Sequence, residues 1–190
     1  MKFNFVLISL SILLICFAKK TYNRVYQKSS RNNKLYLVQV SSGKIQLKSA
    51  NLLASLSKKK IKLCSYIQNS SKYKNHYGMK RLLANRYVKL EELAHEYRNE
   101  AAYSVNKGER IGICLRNKKG SVENENNMMF VLLHELSHIM TKNYAHDEEF
   151  WKNFALLLRA ATECNVYTYI NYEKNPTTYC GHHITSVPSL

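Results

Sequence analysis

The chain has 190 residues, with 29 Lys plus Arg against 13 Asp plus Glu, a formal charge of +16 and a pI near 9.7. Its 45% apolar content, 6 Gly and 2 Pro exclude a wholly disordered chain and any collagen-like or Pro/Gly-rich architecture, and the length suits one domain with one core. Residues 1–90 hold 19 basic and no acidic residues, whereas residues 91–190 hold 10 basic and all 13 acidic ones; the basic half predicts attraction to something anionic, either phospholipid headgroups or nucleic acid.

From Phe3 to Ala18 the chain reads FNFVLISLSILLICFA, without a charge. Lys2 stands alone before it, while Lys19, Lys20, Arg24, Lys28, Arg31 and Lys34 follow. This pattern predicts a hydrophobic anchor helix in residues 1–18, with the bulk of a single-pass membrane protein on the cytoplasmic side. The alternative is a signal peptide that is cleaved, giving a secreted protein. Residues 19–34 read as a basic linker, and residues 35–190 as the folded domain. Cys16, Cys64, Cys114, Cys164 and Cys180 are widely spaced with no C-x-x-C pair, so buried thiols are expected and no disulfide framework.

Leu35 to Val40 (LYLVQV) reads as a short strand ending at Ser41-Ser42-Gly43. Residues 47–68 read as a helix, with Leu52, Leu53, Leu56, Leu63, Cys64 and Ile67 mainly on one face and Lys58-Lys59-Lys60 interrupting it. A second short helix is expected around Met79 to Asn85. Residues 86–101 are helix-like by propensity, with Leu90, Leu93, Ala94 and Tyr97 at helical spacing. Ala102 to Val105 and Arg110 to Arg116 flank Asn106-Lys107-Gly108, which predicts a β-hairpin. Met128 to Met140 is an apolar helical run. Another helix follows from Asp147 to about Cys164, with carboxylates in its first turn. The Tyr-rich C-terminal tail reads as irregular.

Chemistry concentrates in VLLHELSHIM. His134 and His138, four residues apart in a helix, lie on one face about 6 Å apart along the axis, so their imidazoles can converge on one ion. Glu135 points about 100° around the helix, within reach of a water held by that ion. This is what zinc-dependent peptide hydrolysis requires: the metal acidifies the water, and the carboxylate takes its proton and later delivers it to the leaving amine. A catalytic zinc needs a third protein ligand. His146 is the best candidate, and Asp147 or Glu149 are alternatives.

HELSHIM followed by HDEEFW, from His134 to Trp151, resembles the WLM-type and SprT-like zinc metalloproteases. SVNKGERIGICLR, MMFVLLHELSHIM and NPTTYCGHHITSVP also resemble uncharacterised metallopeptidase-like proteins of large DNA viruses, over roughly residues 35–190. The resemblance implies an α+β, zincin-like fold with the active helix beside a small mixed or antiparallel sheet. It also implies that Ile111 to Leu115 is a strand near the cleft able to hold a substrate peptide by β-addition. The seven residues between His138 and His146 are slightly more than the usual WLM gap.

Other residues carry less. His95-Glu96 reads as a solvated helix face. Cys180, His182 and His183 lack any standard metal-ligand spacing. Tyr144, Tyr179 or His182 could steady a tetrahedral intermediate. Phe150, Trp151 and Phe154 read as core packing beneath the site. The expectation is a membrane-anchored zinc metallopeptidase over residues 35–190, with His134, His138 and His146 holding Zn2+, Glu135 as general base and a protein or peptide as substrate. It contacts the membrane through residues 3–18, and anionic lipid or nucleic acid through basic residues 19–90. One competitor is a DNA-associated WLM/SprT-like protease acting on DNA-bound proteins; another is a catalytically silent zinc-binding module.

Overall fold

The computed structural model describes residues 23–97 and 99–189. Among the described residues it is an α+β fold of four helices and three small sheets. The apolar segment at residues 3–18 and the signal or anchor expected there lie outside the described residues. Single-pass membrane localisation is corrected: among the described residues no helix is long and apolar enough to cross a membrane.

Strands β1 (Arg24–Lys28) and β2 (Leu35–Gln39) form an antiparallel hairpin. The stretch expected to be a basic linker therefore supplies a strand, because the β-favouring Val25 and Tyr26 pair with Val38 and Leu37 across the hairpin. Helix α1 (Gly43–Asn69) follows. Its buried positions Ala50, Leu53, Leu56, Lys60, Leu63, Cys64 and Ile67 repeat every three or four residues, so one stripe faces the core. The Lys58–Lys60 triplet does not break the helix, since Lys58 stays exposed and Lys59 pairs with Glu125 at 2.9 Å. Helix α2 (Tyr77–Ala84) is short.

Residues 86–101 depart from the helical expectation. Lys89–Glu92 form strand β3, and only a 3-10 turn at His95–Tyr97 follows. Tertiary pairing overrides the local pattern here. Glu92, 1% exposed, accepts from Arg116 at 2.7 Å and from the Gln39 N–H at 2.9 Å; Glu91 accepts from Arg24 at 2.9 Å and from the Tyr103 hydroxyl. A helix would separate these carboxylates from their cations.

Strands β4 (Ala102–Val105) and β5 (Arg110–Ile113) form the expected hairpin, with Asn106, Lys107 and Gly108 all at positive φ in its turn. The sheet order is β3-β5-β4, with β3 parallel and β4 antiparallel to β5. Tyr103 faces Gly112 across this pair, its ring covering the glycine so closely that a Cβ there would overlap it. Helices α3 (Glu125–Met140) and α4 (Glu148–Glu163) complete the core. Met128 to Leu133, Leu136, Ile139 and Met140 of α3 are buried on every side, which marks it as the central helix. The sheet packs on it through β4 and β5.

The C-terminal tail, expected to be irregular, forms a hairpin of β6 (Thr177–Tyr179) and β7 (His182–Ile184). Cysteine usage is also corrected. Cys114, just after β5, is disulfide-bonded to Cys180 in the β6–β7 turn, while Cys64 and Cys164 are buried free thiols. Two cysteines 66 residues apart carry no pairing signal in sequence; the fold brings them together.

Candidate metal centre

The capping of two helices sets the site geometry. Helix α3 ends at Met140, where the Thr141 hydroxyl donates to the Ser137 carbonyl at 2.8 Å. The Lys107 ammonium, from the β4–β5 turn, donates to the carbonyls of Thr141 (3.2 Å), Lys142 and Asn143 (3.3 Å). A cation there suits the negative end of the helix dipole. The chain then turns back, and Asp147 caps α4 by accepting from the Phe150 N–H at 2.9 Å and the Asn143 side-chain amide at 3.1 Å. His146 is fixed one residue before that cap.

The result brings three imidazoles together. His146 Nε2 lies 2.9 Å from His134 Nε2 and 3.2 Å from His138 Nε2. Asp147 and Glu149 fall outside this cluster of ligand atoms, and the Asp147 carboxylate is already committed to its cap. The buried Phe150 ring supports all three from below, with centroid separations of 4.5 Å to His138, 4.6 Å to His146 and 4.9 Å to His134. Burial first, then the neighbouring imidazoles, pushes His134 down to about 3 and His138 to about 4, with Lys107 contributing to the latter. Both rings are therefore neutral at pH 7. Burial also raises the Glu135 carboxyl to about 7.

This arrangement cannot be satisfied by hydrogen bonds alone. A neutral imidazole has one N–H and one lone pair. A proton on His146 Nε2 can serve one neighbour well, which leaves the other nitrogen's lone pair facing the cluster without a donor. An ion at the centre satisfies all three, and three neutral nitrogen donors at such spacing fit a divalent metal with a coordination position to spare.

A match to the WLM domain model covers residues 83–187, more than half of the chain, and contains all three histidines and Glu135. The chain belongs to the WLM domain family. That family is associated with peptidase-like function and is zinc-binding in general. An uncharacterized protein of Acanthamoeba polyphaga mimivirus is 33% identical over 180 residues, covering 93% of this chain and 90% of that protein. An uncharacterized protein of Invertebrate iridescent virus 6 is 29% identical over 93 residues, covering 47% of this chain and 51% of that protein. No solved structure matches. The WLM match begins near the end of α2, so the β1–β2 hairpin and α1 precede it.

Around the WLM centre the other candidates separate. Tyr144 lines a cavity with Glu135 and His138, and His182 lines another with His134 and Glu135. Tyr179 is fully buried and its hydroxyl donates to the Cys114 carbonyl, so it serves the core. Cys180 is disulfide-bonded and not available to a second metal site with His182 and His183. His95 and Glu96 are exposed, as expected of a solvated surface. Phe150 and Phe154 are core, but Trp151 is 39% exposed and lines the cavity beside His134. The strand expected over Ile111 to Leu115 is β5 as far as Ile113, and both its edges are taken by β3 and β4, so it has no edge left for β-addition; β4 has a strand partner on one side only among the described residues. Nothing local in Ala102 to Val105 marks it as an edge, because edge position is a property of the finished sheet.

Proposed function

We propose that the chain is a zinc-dependent metallopeptidase, with His134, His138 and His146 holding the metal and Glu135 acting as general base. The convergence of three Nε2 atoms, two of them from α3, beside a half-buried carboxylate on that helix carries this assignment. Zinc bound there supplies a Lewis acid that lowers the pKa of water to near neutrality. Glu135, raised to about 7 by burial, is matched to take a proton at neutral pH and return it to a leaving amine. The free edge of β4 offers backbone N–H and C=O groups to an extended peptide, so that the peptide is aligned along α3. Phe150 and Phe154, 0% and 1% exposed, close the floor beneath the imidazoles against water. Tyr144 and His182 stand at opposite ends of the cleft as candidate donors to a developing oxyanion.

The test is Glu135→Gln, assayed on a mixed peptide substrate with the zinc content measured in parallel. Peptide cleavage is expected to fall at least about 100-fold, in line with loss of a general base, while zinc stays bound. Retained cleavage removes Glu135 from the mechanism. Loss of cleavage in both proteins with zinc bound supports a silent zinc module.

A second reading concerns the partner. Arg31, Lys34, Lys58, Arg86 and Lys89 line two adjoining cavities of about 210 and 530 Å³ on the hairpin and α1, and none has a carboxylate within ion-pair distance among the described residues. Tyr26 and Tyr87, 68% and 79% exposed, flank the first cavity, with the Arg86 guanidinium 4.9 Å over the Tyr87 ring. Unpaired cations interleaved with exposed rings suit a single-stranded nucleic acid, which favours a nucleic-acid-associated protease. Salt-dependent DNA binding that is lost on Lys34→Glu/Lys89→Glu supports it; binding to anionic vesicles but not to DNA contradicts it.

A further inference from the structure

Glu135 stands where two unlike cavities meet. One, of about 300 Å³, opens past His134 and is walled by Phe130, Val131, Trp151, Phe154 and Ile184. The other, of about 200 Å³, opens past His138 and is walled by Ser104, Lys107 and Tyr144. Ala102 lines the first and Ser104 the second. These alternate residues of β4 point to one face of the strand. The two cavities are therefore successive stations along the same free strand edge, one on each side of the candidate metal centre.

Their chemistry differs. The first has one apolar, aromatic wall, large enough to take a leucine or phenylalanine side chain, facing a polar rim of Glu100, His182, His183, Thr185 and Ser186. In the second, Lys107 is held by three carbonyls and by the Tyr144 ring, 4.1 Å from its ammonium, yet has no carboxylate partner among the described residues. Those carbonyls orient the ammonium without neutralising it. The Ser104 hydroxyl is buried with no hydrogen-bond partner among the described residues. A buried hydroxyl left in this state is costly unless something binds it. A fixed cation and an unused donor in one small cavity suit a carboxylate. Glu135, the acidic residue in that lining, is the proposed base and does not pair with Lys107.

Resting on the metallopeptidase assignment, we infer that the cleft selects peptides with a large apolar side chain on one side of the scissile bond and an acidic side chain on the other. The apolar side chain fills the cavity at Trp151 and Phe154, and the acidic one meets Lys107 and Ser104. Discrimination by an apolar pocket alone is on the order of 10- to 200-fold.

A randomised peptide library cleaved by the zinc-loaded full chain, with products identified by mass spectrometry, tests this. Enrichment of Leu, Phe, Met or Trp at one flanking position and of Asp or Glu at the other is expected. Preferred peptides should exceed their Ala-substituted forms by at least about 10-fold in kcat/KM. Lys107→Glu should reverse the charge preference, so that lysine-bearing peptides outrun acidic ones. Trp151→Ala should weaken the apolar preference and leave the acidic one. If Lys107→Glu does not fold, the wild-type profile alone decides. A flat profile overturns the inference and leaves hydrolysis standing; no cleavage of any peptide by zinc-loaded protein overturns both.

Discussion

Cutting the Cys114–Cys180 bond tests how the wall of the cleft is held. The bond joins residues 66 apart, and in the chain-entropy account a closed loop of that length removes about 4 kcal/mol of unfolded-state freedom at about 25 °C. Two native contacts at the same place survive its loss: the Tyr179 hydroxyl on the Cys114 carbonyl, and the Cys180 N–H on Glu123 at 2.9 Å. With each worth about 1 kcal/mol, the β6–β7 hairpin stays docked and the loss falls chiefly on the unfolded side. Cys114→Ser/Cys180→Ser is therefore expected to lower the urea unfolding free energy by about 2–4 kcal/mol. The m value should rise slightly because the uncrosslinked chain exposes more surface. Far-UV circular dichroism should hardly change. Because the docked β7 keeps His182 and Ile184 in the cavity beside His134, KM and kcat for peptides that use this cavity should hardly change. Dithiothreitol should reproduce the stability loss in the wild type and do nothing to the double variant. An unchanged unfolding free energy and m value would refute this account.

Two further substitutions probe the scaffold. Gly112→Ala places a Cβ inside the Tyr103 ring, so an overpacking cost of about 1–3 kcal/mol is expected; a thermal melt matching the wild type would show that the ring moves freely. Lys60, 2% exposed and donating to the Val88 carbonyl at 2.5 Å, is pushed by burial from 10.5 down to about 8. Between those values the unfolded chain binds more protons, so stability rises with pH there, and below about 8 the penalty for the buried ammonium is present in full. That penalty is about 3 kcal/mol. Lys60→Met should then stabilise the protein at pH 7 by about 2 kcal/mol, after loss of one hydrogen bond, and its advantage should shrink as pH approaches 10. A pH-independent difference in urea midpoint would exclude this origin.

What the sequence made legible was whatever local spacing encodes. The His134/His138 pair, the adjacent Glu135 and the returning His146 stand out because helical period and one short turn place them. The turn at Asn106 to Gly108 and the helices after Gly43 and Asn124 are legible for the same reason. Where long-range pairing decides, the sequence misleads. Residues 89–92 have helical spacing but become a strand, because Glu91 and Glu92 find Arg24, Tyr103 and Arg116 from distant segments. Cys114 and Cys180 meet only after the C-terminal hairpin closes over β5. The free edge of β4, the wall formed by Ile184 and the Lys107 contact to the end of α3 likewise arise from the assembled sheet and have no periodic signal.

The metallopeptidase assignment requires that three imidazoles hold one ion. The most direct measurement is the zinc content of the purified full chain after equilibration with zinc and removal of excess, compared with His134→Ala, His138→Ala and His146→Ala. About one zinc per wild-type chain, falling to a small fraction in each variant, is the predicted result, since a three-nitrogen site loses its closed geometry with any one ligand. Wild-type protein without stoichiometric zinc, or variants that keep it, would contradict the account.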